Sequence, residues 1–157
     1  NAQQVADPRF GMTASFTGRT QVALPSGLSS LATQQRTVTL ADPNDPTQVA
    51  SIVETANVND RVMSRSYDGA LRRWTMVSPE NRVVIGDTDA QGRVVRTEVA
   101  GIAPVQMSYD ARGHLLQGTD PQGGTWRFHH DERGRLRVAA DRSGVYAGGS
   151  AAQNRGK

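Results

Sequence analysis

A 21-residue internal repeat constrains the fold of this chain more than any other feature. Tyr67-Asp68, Thr88-Asp89, Tyr109-Asp110 and His130-Asp131 follow one another at that step. Gly92, Gly113 and Gly134 keep it, as do Val94, Leu115 and Leu136. Half a repeat later a second column aligns Ser78-Pro79-Glu80-Asn81 with Asp120-Pro121-Gln122-Gly123 at twice the period, and Asp120 with Asp141 at one. A fixed short period of this kind marks a stack of small supersecondary units rather than a single irregular core. The copies run over residues 67–87, 88–108, 109–129 and 130–150.

The columns name the unit. In Asp110-Ala111-Arg112-Gly113 the aspartate opens a four-residue turn and offers its carboxylate to nearby backbone N–H groups. Gly113 is expected at positive φ, which completes a type I turn with a bulge. Asp89 with Gly92 and Asp131 with Gly134 repeat that chemistry. Asp120 with Gly123 adds Pro121, whose fixed φ suits the second turn position. Each copy then carries two turns and two short strands, so the chain is all-β, built of antiparallel hairpins. Val105, Met107 and Tyr109 alternate with polar residues, and Trp126, Phe128 and His130 stand one period on. Val105, Met107, Trp126 and Phe128 are therefore expected to be buried on one face, with neighbouring copies supplying the rest of the sheet.

Composition agrees with a thin, turn-rich core, since 36% of residues are hydrophobic and 16 are Gly and 7 Pro. The net charge of +3 comes from a small excess of Arg, with one Lys at the last position. The charges are interspersed, as in Asp131-Glu132-Arg133-Gly134-Arg135, so no phosphate-tracking stripe points to nucleic acid. Absence of cysteine excludes disulfides, thiolate catalysis and Cys-based metal sites. No apolar run approaches the roughly 20 residues of a membrane-spanning helix. The chain begins at Asn1 without a signal-peptide pattern, which reads as a processed product or excised fragment.

Upstream the repeat decays. Residues 36–40 read as a strand, Asp42-Pro43-Asn44-Asp45-Pro46 as a break, and residues 51–55 and 61–65 as a hairpin around 57–60. The organisation expected is an irregular β segment over 1–60, the repeat sheet over 61–146 and a flexible tail over 147–157.

These motifs resemble those of a known family. Tyr109-Asp110-Ala111-Arg112-Gly113-His114-Leu115 is similar to the YD-repeat signature Tyr-Asp-x-x-Gly-x-Leu, and Asp131-Glu132-Arg133-Gly134-Arg135-Leu136 follows it with His130 in place of Tyr. The segments around Tyr67-Asp68, 78–81, 89–95 and 101–105 resemble bacterial RHS proteins in order and spacing, as do 7–12 and 42–46 more loosely. The resemblance implies a long antiparallel sheet that spirals into a hollow shell. Relatives of that kind include polymorphic toxins and insecticidal toxin complexes, whose shell encloses a toxic polypeptide, and the adhesive teneurins. Four copies would be a segment of such a shell, secreted or at the bacterial surface, with the remaining shell or a toxin cargo as partner. Toxin shells end in a region rich in Asp-Pro-x-Gly whose aspartates are implicated in self-cleavage. The stretch beginning at Asp141 lacks that Pro, so Asp141 reads as part of an ordinary repeat turn.

Chemistry is sparse. His129, His130 and Asp131, with His114 nearby, hint at a metal site or general base. Strand neighbours diverge, however, and His130 stands in a column otherwise held by Tyr or Thr. The Asp-x-x-Gly turns each supply one carboxylate, too few for calcium. Asp87-Thr88-Asp89 is the nearest exception. Trp74 and Arg73 are the candidate ligand-binding residues, because Trp74 is flanked by polar residues and suits a glycan or cation–π surface. No nucleophile–base pair, paired acids or metal-ligand set stands out, so no catalytic residue, metal or cofactor is assigned. The leading expectation is a non-enzymatic shell or scaffold segment. A glycan- or protein-binding adhesion module is the alternative, and self-association through unpaired edge strands is expected of either.

Overall fold

A computed structural model describes residues 1–141 and 144–147, and they form an all-β, antiparallel protein. Compactness divides the chain into two units, Asn1–Arg93 and Val94–Lys157. The first holds β1 (Ala2–Asp7), β2 (Gly11–Ala23), β3 (Ser29–Leu40), β4 (Val49–Val58), β5 (Arg61–Asp68), β6 (Arg73–Val77) and β7 (Val83–Thr88). The second holds β8 (Val94–Val99), β9 (Val105–Tyr109), β10 (Leu115–Thr119), β11 (Thr125–His130), β12 (Leu136–Asp141) and β13 (Gly144–Ala147). Within each unit every strand pairs antiparallel with its sequence neighbours, so each is a meander.

Residues 1–60 are the stretch expected as an irregular β segment. They contain the longest strands, of 13, 12 and 10 residues. Thr, Val and Ile favour the extended backbone there, but neither face is fully buried, so no clean polar–apolar alternation announces the strands. The hairpin between β4 and β5 is tighter than its flanking sequence suggests. Asn59 and Asp60 both take positive φ, at 50° and 65°, the signature of a two-residue turn whose twist matches the strands.

In the second unit the repeat is visible as geometry. The strands β8, β10 and β12 begin at residues 94, 115 and 136, again 21 apart. Pairing between β9 and β10 slips by one residue between Leu115 and Gln117, and pairing between β11 and β12 slips next to His130, where Leu136 is its partner. The bulge thus recurs one repeat later. It adds local twist at the same place in each hairpin.

Burial corrects one expectation. Among the described residues no hydrophobic side chain is fully buried, and Asp7 is the buried polar residue. Val105, Met107 and Phe128 are half-buried, whereas Trp126 is exposed at 38%. The physical reason is that, among the described residues, each unit is a single sheet with no second layer packed on it. Trp126 instead lies across the buried Gly118, its cross-strand partner, where an added Cβ would come within 2.7 Å of the indole. An aromatic ring laid over a strand glycine covers backbone that Gly leaves bare. Trp126→Ala is therefore expected to cost about 1–2 kcal/mol, not the several kcal/mol of a core ring. Denaturant melts test this, and a loss above about 3 kcal/mol would place the indole in a packed interior.

Candidate functional site

The turn columns form one repeated device. At residues 89, 110, 120 and 131 the aspartate backbone accepts from the N–H of Gly92, Gly113, Gly123 and Gly134 at 2.9–3.0 Å. Its own N–H donates to the carbonyl four residues on at 2.8–2.9 Å. The four glycines have φ of 78°, 90°, 81° and 76°, where a Cβ would be strained. One carboxylate oxygen accepts two further backbone N–H groups. For Asp110 these are Arg112 at 2.9 Å and His114 at 2.8 Å, and for Asp120 they are Gln122 at 2.8 Å and Gly124 at 2.7 Å. The loop at 78–82 copies the design with Ser78 Oγ as acceptor and Asn81 at φ 58°.

The residue four after the aspartate completes the device, and the repeat columns had not singled it out. Asp89 Oδ2 accepts from Arg93 Nε at 2.7 Å, Asp131 Oδ2 from Arg135 Nε at 2.8 Å, and Asp110 Oδ2 lies 2.9 Å from His114 Nδ1. At Asp120 that position is Gly124, where a Cβ would sit 2.4 Å from Oδ2. Partial desolvation pushes the Asp89 and Asp110 carboxyls upward, but these hydrogen bonds outweigh it and hold both below the usual aspartate range. Asp131 is lowered chiefly by the Arg135 backbone N–H. A depressed folded pKa contributes stability that is present above the unfolded value and lost as pH falls through the folded one. The protein is expected to keep its denaturation midpoint down to about pH 4 and to lose stability below it. Replacing Asp89, Asp110 and Asp131 by Asn should flatten that acid limb. An unchanged midpoint between pH 5 and 2 would contradict the assignment.

Trp74 and Arg73, the candidate ligand-binding residues, do not form a common surface. They are strand neighbours and project to opposite faces. Arg73 is forked onto Asp87, Nε to Oδ1 at 2.6 Å and Nη2 to Oδ2 at 3.1 Å. Trp74 is half-buried between Tyr67, with centroids 4.7 Å apart, and Arg65, whose guanidinium carbon is 3.6 Å from the indole centroid. Both contacts compete with a stacked sugar. Arg65 belongs to a charge ladder that runs across the strands. Asp7 Oδ2 accepts from Arg36 Nη1 at 2.7 Å, Arg36 Nε donates to Glu54 Oε1 at 2.7 Å, and Glu54 Oε2 lies 3.9 Å from Arg65 Nη1. Arg36 also stands over Phe16 at 4.9 Å. Nothing in the spacing of these residues pointed to the ladder.

The histidines fall differently from the 129–131 cluster. His130 stacks on His114, with centroids 4.9 Å apart and planes 23° from parallel, and His129 is outside the pair. Beside them lies an open cavity of about 430 Å³ lined by Asp110, Arg112, Phe128, His129, Asp131 and Glu132 among others. Among the described residues no group of three or more His, Asp or Glu could hold a metal ion. The side chain of Asp141 and, of the tail expected over 147–157, residues 148–157 lie outside the described residues.

A family comparison matches residues 109–146 to the RHS repeat. The matched segment covers the turns at 110–113, 120–123 and 131–134 with the strands between them. No curated protein matches the chain.

Proposed function

We propose, from the premise that this is an RHS-repeat protein, that its work is structural: a scaffold segment of a secreted or surface protein that encloses or presents a toxin domain. The observation that carries the reading is the combination of rigid, turn-locked hairpins with the absence of any fully buried hydrophobic side chain among the described residues. A sheet built this way is a wall. Its apolar residues, such as Met63, Met76 and Val53, remain exposed until something covers them. Partners that fit are further repeat sheet, a second copy at an unpaired edge, or an enclosed polypeptide. The reading is non-enzymatic. No helix among the described residues is long and apolar enough to cross a membrane. A glycan-binding role draws no support from Trp74, whose ring is engaged by Arg65 and Tyr67.

The test extends the wall. Two or three further RHS repeats joined to the chain should raise the thermal midpoint and reduce binding of a hydrophobic dye, because each added unit covers its neighbour. Analytical ultracentrifugation of the unextended chain should show association that grows with concentration. A strictly monomeric chain that binds no dye and gains nothing from added repeats would be a self-contained domain, and the scaffold reading would fall.

A further inference from the structure

Two repeat columns change residue together in the last copies. At 93 and 109 they hold Arg and Tyr, and one period on, at 114 and 130, both hold His. The fold brings those two replacements into contact as the stacked His114–His130 pair. The pair joins the turn at 110–114 to the turn at 131–135, which Arg112 also bridges by donating to the Glu132 carbonyl at 2.9 Å. We propose that His114 and His130 form a pH-sensitive latch between the β9–β10 and β11–β12 hairpins, closed while at most one ring is charged and released when both are.

The two rings are not equivalent. His114 Nδ1 lies 2.9 Å from Asp110 Oδ2, so a proton there completes a charge-assisted hydrogen bond. His130 Nδ1 is buried without a hydrogen-bond partner, so a proton there leaves a buried N–H unsatisfied beside a ring already charged. Neighbouring charges do not relieve this. Asp131 is held by Arg135 and Arg137. Asp110 is committed to His114 and to the backbone of its own turn. Glu132, Arg112 and His129 line the open cavity alongside. On its other side His114 packs against the backbone of the neighbouring turn, where an added Cβ at Gly134 would lie 2.5 Å from Nε2. A charge on His114 therefore tightens the latch, and a charge on His130 beside it opens the latch.

The experiment follows the imidazole signals of the folded protein by NMR from pH 8 to pH 4.5, with amide exchange protection of Gly113 and Gly134 measured alongside. Protection of both amides should fall at least about tenfold as the pH is lowered across that range. His130→Tyr, which restores the residue of position 109, should abolish the loss of protection. If that variant does not fold, His130→Phe serves, since it removes the same imidazole and keeps a ring against His114. Protection that does not change with pH, or that falls equally in the variant, would overturn the latch.

Discussion

Gly69→Ala is expected to cost the protein about 3 kcal/mol, more than a substitution at any of the repeat-turn glycines. Gly69 follows β5 and donates its N–H to the Ala50 carbonyl at 2.8 Å. A Cβ there would lie 2.2 Å from the Val49 carbonyl oxygen and 3.1 Å from that of Ala50. Both are backbone atoms in a paired strand, so neither can rotate away as a side chain would. The end of β4 or the 69–72 turn must shift, and Ser51–Asp68 pairing goes with it. Gly92 makes the contrast. Its φ of 78° strains any L residue, but nothing lies within 4 Å of an added Cβ, so Gly92→Ala should cost only about 1–2 kcal/mol. Denaturant melts of the two variants decide the matter. A smaller loss at Gly69 than at Gly92 would show that the turn yields and that conformation outweighs space.

That contrast also marks what could be read from the amino-acid order. Asp89, Asp110, Asp120 and Asp131 carry their reason locally: a short carboxylate three positions before a glycine closes its own turn, and repetition at 21 residues exposes it. Gly69 has no such signature, because its requirement is set by a carbonyl 20 residues away that only strand pairing brings near. The Trp residues misled for a related reason. Alternation at 105, 107 and 109 and at 126, 128 and 130 implies one buried face, yet a single layer leaves Trp126 exposed, while Arg65 and Tyr67 cover Trp74. The His114–His130 contact was legible in principle, since both replacements sit in repeat columns. Recognising it requires knowing that those columns meet across neighbouring hairpins. The repeat gave the units, and the contacts between strands supplied what the columns lack.

Arg36→Ala should cost about 3 kcal/mol at neutral pH, because it removes the centre of the charge ladder. Arg36 donates to Asp7 and Glu54 at 2.7 Å each and covers Phe16. Asp7 is only 3% exposed, and without Arg36 its buried carboxylate keeps Arg9 alone, through a backbone N–H at 2.8 Å and a longer Nε contact at 3.4 Å. Desolvation already pushes the Asp7 carboxyl upward, and only the hydrogen bonds from Arg9 and Arg36 bring it below the usual range. In the variant that balance reverses, so Asp7 takes up a proton more readily and the loss of stability shrinks as the pH is lowered towards 4. Neutralising the stranded charge should have the same effect at pH 7. Asp7→Asn in the Arg36→Ala background should recover about 1–2 kcal/mol, although Asp7→Asn alone destabilises. Arg36→Lys should fall between, since an ammonium cannot span Asp7 and Glu54 as the guanidinium fork does. A complete double-mutant cycle with no coupling, or an Arg36→Ala loss under about 1 kcal/mol, would mean that solvent rather than Arg36 holds Asp7 in its charged form.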